Sequence, residues 1–243
     1  MTVHVINLDR DQERLRTFLS KNAHVPDIVR MPAIEGRSVN REALRAAGMI
    51  SSDLPYTNGP LGCALSHMRL WRKCVKDARP ITIVEDDALF APNFQTAHEL
   101  MLNRLPAGWD AVLWGWNFDR RLGTEIPEGV APAMLEFDQD ALRRNIENFR
   151  STEVAPALFR LHYAYGALAY SLSPSGARTL LELSTPLSGR TIIFANNMPV
   201  IANDGIDCVM NGAYSKLKAY VCIPPLVVSE NYTETSRTRN DLP

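Results

Sequence analysis

Ile81-Thr82-Ile83-Val84-Glu85-Asp86-Asp87 is the stretch on which the reading of the fold turns. Four residues suited to a buried strand are followed at once by three carboxylates. In an open α/β sheet, ligands bind beyond the carboxyl ends of the strands, so acids at that point face a crevice. Side chains alternate along an extended chain, which puts Glu85 and Asp87 on one side and Asp86 on the other. Like charges this close repel unless a cation joins them. A hard divalent ion with oxygen ligands, Mg²⁺ or Mn²⁺, meets that need. A polar turn with solvated acids accounts for the same residues without any ligand.

Upstream, Asn58-Gly59-Pro60 reads as a helix entry, where proline is tolerated because no backbone donor is needed. Cys63, His67, Leu70, Trp71 and Cys74 then recur at helical spacing as one stripe, with Arg69, Arg72, Lys73 and Lys76 on the solvated side. His67 therefore sits on or beside the apolar face. A hydrogen-bonded core histidine and a site residue are both open readings for it.

Away from this centre, residues 3–8 and 27–31 read as strands, the second stopped by Pro32, with a charged helix entry from Asp9 between them. Residues 41–47 form a short helix closed by Gly48. Residues 92–105 read as a helix and 111–114 as a strand. Residues 117–132, rich in Gly, Pro and Arg, read as a loop suited to acceptor binding. A helix over 137–149 and a strand over 161–172 follow. Ser173 then caps a helix with Pro174 at its first position, and 217–221 is a late strand. From Ser229 the tail is polar and expected to be loosely ordered. Alternating strands and helices favour an α/β architecture with a mostly parallel central sheet flanked by helices. A chain of 243 residues fits one domain, with a nucleotide-binding half over 1–116 and an acceptor or catalytic half over 117–243.

Apolar residues make up 46% and charged residues 22%, an ordinary globular balance, and the formal charge of −1 leaves no excess of Lys and Arg to meet nucleic-acid phosphates. Cys63, Cys74, Cys208 and Cys222 show no CxxC pairing and no nearby His at zinc spacing, so reduced thiols in a cytosolic protein are expected. No secretion signal is evident at the start. No stretch approaches the roughly 20 apolar residues needed to span a bilayer.

Gly62-Cys63-Ala64-Leu65-Ser66-His67 with Trp71, followed by Val84-Glu85-Asp86-Asp87, resembles glycosyltransferase family 25, which includes bacterial lipopolysaccharide galactosyltransferases and collagen galactosyltransferases. Val5-Ile6-Asn7-Leu8-Asp9-Arg10 with Arg14, Pro32-Ala33-Ile34-Glu35-Gly36 and Trp109-Asp110-Ala111-Val112-Leu113 resemble further blocks of that family in order. So do Ala169-Tyr170, Ser173-Pro174-Ser175-Gly176-Ala177, Ile206-Asp207 and Pro224-Pro225-Leu226-Val227. Each block is weak alone, and their order over nearly the whole chain gives the match its specificity.

The resemblance implies a GT-A-like nucleotide-sugar-binding fold. It also implies an inverting, metal-dependent transfer of a hexose, galactose first, from a UDP-sugar to a saccharide or lipopolysaccharide-type glycolipid. Glu85-Asp86-Asp87 stands where many such transferases carry Asp-x-Asp. Asp87 is the stronger metal ligand for Mn²⁺ or Mg²⁺, Glu85 contacts metal or ribose, and Asp86 faces the donor. Asn7, Arg10 and Arg14 are placed to meet the nucleotide, although surface polar residues near a helix start would look the same. His67 lies near the diphosphate or braces the acidic loop, and Ser236, Arg237 and Arg239 are candidates to close over the phosphates. Asp207 is the expected base, with a place in the metal sphere as the other option, and Asp204 in Asn203-Asp204-Gly205 resembles a turn residue. A cytoplasmic location is expected, at the inner face of the membrane for a lipid acceptor. A catalytically silent binding relative and a metal-dependent phosphoesterase are the competing functions.

Overall fold

In the computed structural model, which describes residues 2–192 and 200–232, the first half of the chain alternates strand and helix. β1 (Val3–Asn7) leads to α1 (Gln12–Lys21), β2 (Ile28–Pro32), α2 (Arg41–Ala46) and the long α3 (Asn58–Asp77). β3 (Ile81–Glu85), the two-residue β4 (Leu89–Phe90), α4 (Phe94–Arg104) and β5 (Ala111–Gly115) follow. The second half carries a hairpin, β6 (Leu122–Glu125) and β7 (Pro132–Leu135), two short helices, α5 (Gln139–Arg144) and α6 (Ile146–Ser151), then β8 (Ala157–Tyr163) and β9 (Ala169–Leu172). The described chain ends with α7 (Pro174–Ser184), α8 (Ile206–Ala213), β10 (Ala219–Ile223) and β11 (Val227–Val228).

Nine strands form one sheet in the order β2-β1-β3-β9-β5-β10-β8-β6-β7. Following the pairings outward, β2, β1, β3, β5, β10 and β6 run one way and β9, β8 and β7 the other. Most strands thus share one direction, as the α/β reading expects, and β9 enters antiparallel between β3 and β5. Strands from the two halves of the chain are interleaved rather than stacked as separate sheets.

Alternation of side chains divides the interior between the two faces of this sheet. Ile81 and Ile83 of β3, Ala111 and Leu113 of β5 and Ala219 and Val221 of β10 pack with Leu61, Trp71, Leu180 and Val209 from α3, α7 and α8. Val84, Val112, Trp114, Tyr220 and Cys222 pack on the other face with Phe18 and Phe94 from α1 and α4. Burial on both faces is what makes the central strands read as continuous apolar runs.

Two expectations are corrected. Residues 161–172 form two strands, not one: β8 pairs with β10 and β6, β9 with β3 and β5, and residues 164–168 connect them. Gly166 in this connection has φ +88, a left-handed conformation that a continuous strand cannot contain. Residues 117–132 are only partly loop, since β6 lies within them and pairs with β8 through Gly123, buried Thr124 and Glu125. The start of the tail packs on the domain, with Ser229 buried and bonded to Asp87, and residues 233–243, Ser236, Arg237 and Arg239 among them, lie outside the described residues. Among the described residues, no helix is long and apolar enough to cross a membrane.

Candidate active site

The carboxyl ends of β1 and β3, the N-terminal half of α3, the connection between β8 and β9 and the start of α8 surround a cleft of about 470 Å³. Asn7, Arg14, His67, Glu85, Asp86, Asp87 and Asp207 all line it, as does Asp204. Arg10 is not among the lining residues. It is exposed and ion-paired with Glu35, which is at the cleft wall.

β3 ends at Glu85, and a turn closed by the Ala88 N–H donating to the Glu85 carbonyl carries the two aspartates. Strict alternation therefore stops at Glu85, two residues before the sequence suggests. Glu85, Asp86 and Asp87 fan out around the same cleft instead of dividing between opposite sides. Each acid has a different environment.

Asp86 is held on both oxygens. Asn7 Nδ2 donates to Oδ2 at 2.6 Å and Arg14 Nε to Oδ1 at 2.5 Å. Asn7 is 1% exposed, and its amide also donates to the Asp11 carbonyl at 3.1 Å and accepts from Arg30 Nε at 3.0 Å. Its bonding capacity is thus taken up in bracing the acidic turn. Burial raises the Asp86 pKa, opposed by Arg14 and Asn7.

Asp87 is held on one side only. Ser229 Oγ donates to Oδ2 at 3.0 Å, and Arg14 Nη2 is 3.6 Å from the same oxygen. Oδ1 is shut off from solvent and meets no hydrogen-bond donor among the described residues. Burial, with Glu85 adding to it, pushes this carboxyl up to about 6. A cation bound at Oδ1 would relieve both conditions.

His67 is fully buried, as the helical stripe requires, and its Nδ1 is hydrogen-bonded to the Tyr170 hydroxyl at 2.7 Å. Trp71 Nε1 donates to the same hydroxyl at 2.8 Å. Nε2 lies 3.4 Å from Glu85 Oε1 and forms no hydrogen bond among the described residues. His67 is therefore both a core residue and a cleft residue.

Opposite the acidic turn, Asp207 occupies the first turn of α8 and its Oδ2 accepts the Gly166 N–H at 3.1 Å. Burial raises its pKa, helped by the charges of Glu85 and Asp204 and opposed by Gly166. Gly166 is required here: a Cβ would lie 2.4 Å from Asn117 Oδ1. Asp204 is exposed and accepts from the Cys208 thiol at 2.9 Å.

Sequence reasoning passed over part of the wall. Asn117, Arg120, Tyr165, Asn231 and Tyr232 line the cleft, with Arg120 5.5 Å above the Tyr165 ring. Arg120 was legible only as one of two adjacent arginines in a loop. Ser229 and its neighbours carried no local signal. Cys63, one helical turn before His67, also lines the cleft, which corrects the expectation of no histidine at metal-binding distance from a cysteine.

The model of "Glycosyltransferase family 25 (LPS biosynthesis protein)" matches residues 1–199. A glycosyltransferase 25 family member of Aedes aegypti is 25% identical over 95% of this chain and 36% of its own length. Human procollagen galactosyltransferase 2 is 24% identical over 95% of this chain and 35% of its own. A Rattus norvegicus protein named probable inactive glycosyltransferase 25 family member 3 is 31% identical over 76% of this chain and 30% of its own. The chain spans about a third of the length of the curated relatives it matches.

Proposed function

The chain belongs to glycosyltransferase family 25, and from that premise we propose that it is an inverting, metal-dependent transferase moving a hexose from a UDP-sugar to a saccharide or lipopolysaccharide-type acceptor. Galactose is the first candidate, since relatives of this chain are named procollagen galactosyltransferases. A cytoplasmic location, at the inner face of a membrane for a glycolipid acceptor, is part of the same proposal.

The observation that carries the reading is Asp87 Oδ1, a buried carboxylate oxygen at the wall of the cleft that meets no donor among the described residues. All-oxygen donors suit a hard cation, so Asp87, with Glu85 beside it, would hold Mn²⁺ or Mg²⁺. Such an ion supplies neutralisation of the charge that develops on a departing diphosphate. The chain's own residues do the rest. Asn7 and Arg14 fix the turn through Asp86, and Arg14 adds positive charge on the side of Asp87. Arg120 and Tyr165 offer a cation and an aromatic face of the kind sugars and nucleosides pack against. Asp207, aimed by the Gly166 N–H, is the candidate to take the acceptor hydroxyl proton in a single in-line displacement.

The rat relative named probable inactive motivates a second reading, a silent member that binds without transfer. Calorimetry with UDP, with and without Mn²⁺, followed by a screen of UDP-galactose, UDP-glucose and UDP-N-acetylhexosamines for UDP release, separates the two. The transferase reading expects metal-dependent UDP binding and acceptor-stimulated release from one donor. Binding without release under every acceptor points to the silent member, and no UDP binding at all overturns both.

A further inference from the structure

We propose that Cys63, His67 and Glu85 form a second, softer metal site at the wall of the same cleft, one that takes Zn²⁺. A ligand atom from each of the three lies within 4.8 Å of the other two. Cys63 and His67 are four residues apart on α3, so their side chains project from the same face one turn apart. Glu85 reaches them from the end of β3, with Oε1 3.4 Å from His67 Nε2.

The His67 ring supplies the independent pointer to a ligand. It is fully buried and anchored through Nδ1 to the Tyr170 hydroxyl, while Nε2, turned toward Glu85, has no hydrogen-bond partner among the described residues. His98 Nδ1 is likewise buried without a partner among the described residues, but His98 lies away from the cleft, whereas the open nitrogen of His67 belongs to a ring that lines it beside Cys63 and Glu85. Fixing one ring nitrogen with an oxygen partner is how proteins orient a metal-binding imidazole, and Tyr170, itself held by Trp71, provides that support.

The spacing fits. Tetrahedral zinc at its usual bond lengths to nitrogen, oxygen and sulfur separates its ligands by roughly 3.3–3.8 Å. The His67–Glu85 distance is already in that range, and the half-buried Cys63 Sγ lies within 4.8 Å of both partners. A thiol with an imidazole and one carboxylate favours Zn²⁺ over Mn²⁺ or Mg²⁺, which prefer the all-oxygen surroundings of Asp87. Three protein ligands leave a fourth position for water, the pattern of an exchangeable site rather than a closed structural one.

Glu85 belongs to both the acidic turn and this cluster. Zinc bound here draws Glu85 away from Asp87, so it inhibits transfer. That consequence rests on the transferase reading, whereas the site itself does not.

The test is titration of metal-stripped protein with Co²⁺, followed by competition for Zn²⁺ against a coloured chelator. Wild type should take up Co²⁺ with a thiolate charge-transfer band that Zn²⁺ abolishes. Cys63→Ser should lose the band and weaken Zn²⁺ on the order of 100-fold, at least what loss of an outer-shell partner costs. Asp87→Ala should keep both, and thermal melts should show each variant folded. Absence of the band in wild type, or unchanged Zn²⁺ affinity in Cys63→Ser, overturns the site whatever UDP binding shows. A band without sugar transfer from any donor leaves the zinc site standing and removes the inhibitory role with the transferase reading.

Discussion

Arg14 Nε lies 2.5 Å from Asp86 Oδ1, while its Nη2 is 3.6 Å from Asp87 Oδ2, so one guanidinium spans two consecutive acids. Both partners of the closer pair are mostly shielded, with 24% and 12% of their side chains exposed. Removing one partner of such a pair leaves the other charge poorly solvated. Arg14→Ala should therefore destabilise the fold by about 1–3 kcal/mol, less than for a fully buried pair because part of the arginine meets water. Urea unfolding of Arg14→Ala, Asp86→Asn and the double mutant checks this. Non-additive losses are expected, and an Arg14→Ala protein as stable as wild type would remove the bracing role.

Asp87 should behave oppositely. Its Oδ1 has no donor among the described residues and a third of the side chain is open, so Asp87→Asn should cost little stability. It should nonetheless abolish the metal-dependent part of UDP binding, because the amide carries no charge for the ion to neutralise. Paired calorimetry with and without Mn²⁺ reads this directly. Equal UDP affinity in mutant and wild type in the presence of Mn²⁺ would rule out Asp87 as the ligand.

Why Asp86 and Asp87 differ was not legible in the sequence. The apolar run ending in acids correctly gave β3 and a cleft at its carboxyl end, because strand burial and strand-end placement are local consequences of residue type. Their division between two sides failed because a turn begins at Asp86, and consecutive aspartates suit a turn as well as a strand end, so residue type alone does not choose between them. Contacts at long sequence separation were equally out of reach: Ser229 and Asp87 are 142 residues apart, yet they share a hydrogen bond. The break between β8 and β9 did have a signal in Gly166. It was overridden by apolar residues on either side, which look alike whether one strand or two run through them.

His67 tests how far packing and site overlap. His67→Ala removes a fully buried ring and leaves the Tyr170 hydroxyl with Trp71 alone among its observed partners. A loss on the order of 1–3 kcal/mol is expected from the cavity and the lost hydrogen bond. Activity should fall with it. Full thermal stability with lost activity would show that the ring serves the cleft and not the core.

His98 gives a pH prediction away from the cleft. It is fully buried against Phe94 and Trp114, and burial lowers its pKa to about 3. The unfolded chain, with a histidine near 6.5, binds the proton more readily. The stabilising contribution is therefore complete above pH 6.5 and is lost as pH falls toward 3. Between pH 6.5 and 4.5 this amounts to roughly 2–3 kcal/mol at 1.36 kcal/mol per pH unit. Carboxylates titrate in the same range, so the measurement is the difference in slope between wild type and His98→Gln. Identical slopes would mean that His98 takes up its proton as readily in the folded chain as in the unfolded one.

Asp207 carries the sharpest chemical prediction. One carboxylate oxygen is fixed by the Gly166 N–H, and the residue lines the cleft across from the acidic turn. Asp207→Asn preserves size and offers its amide oxygen to the same N–H, but cannot accept a proton. If Asp207 is the base, donor affinity survives and turnover falls by about 10²–10⁴, the usual worth of a positioned base. If it is a metal ligand, Mn²⁺ and UDP affinity fall together with turnover. Measuring donor binding and turnover separately on this one variant distinguishes the roles, because only a change confined to the chemical step leaves binding intact. The hydrogen bond from Gly166 orients the carboxylate for either role, since the other oxygen can accept a proton or bind a metal ion. Unchanged turnover would take Asp207 out of the reaction and pass the role to Asp204.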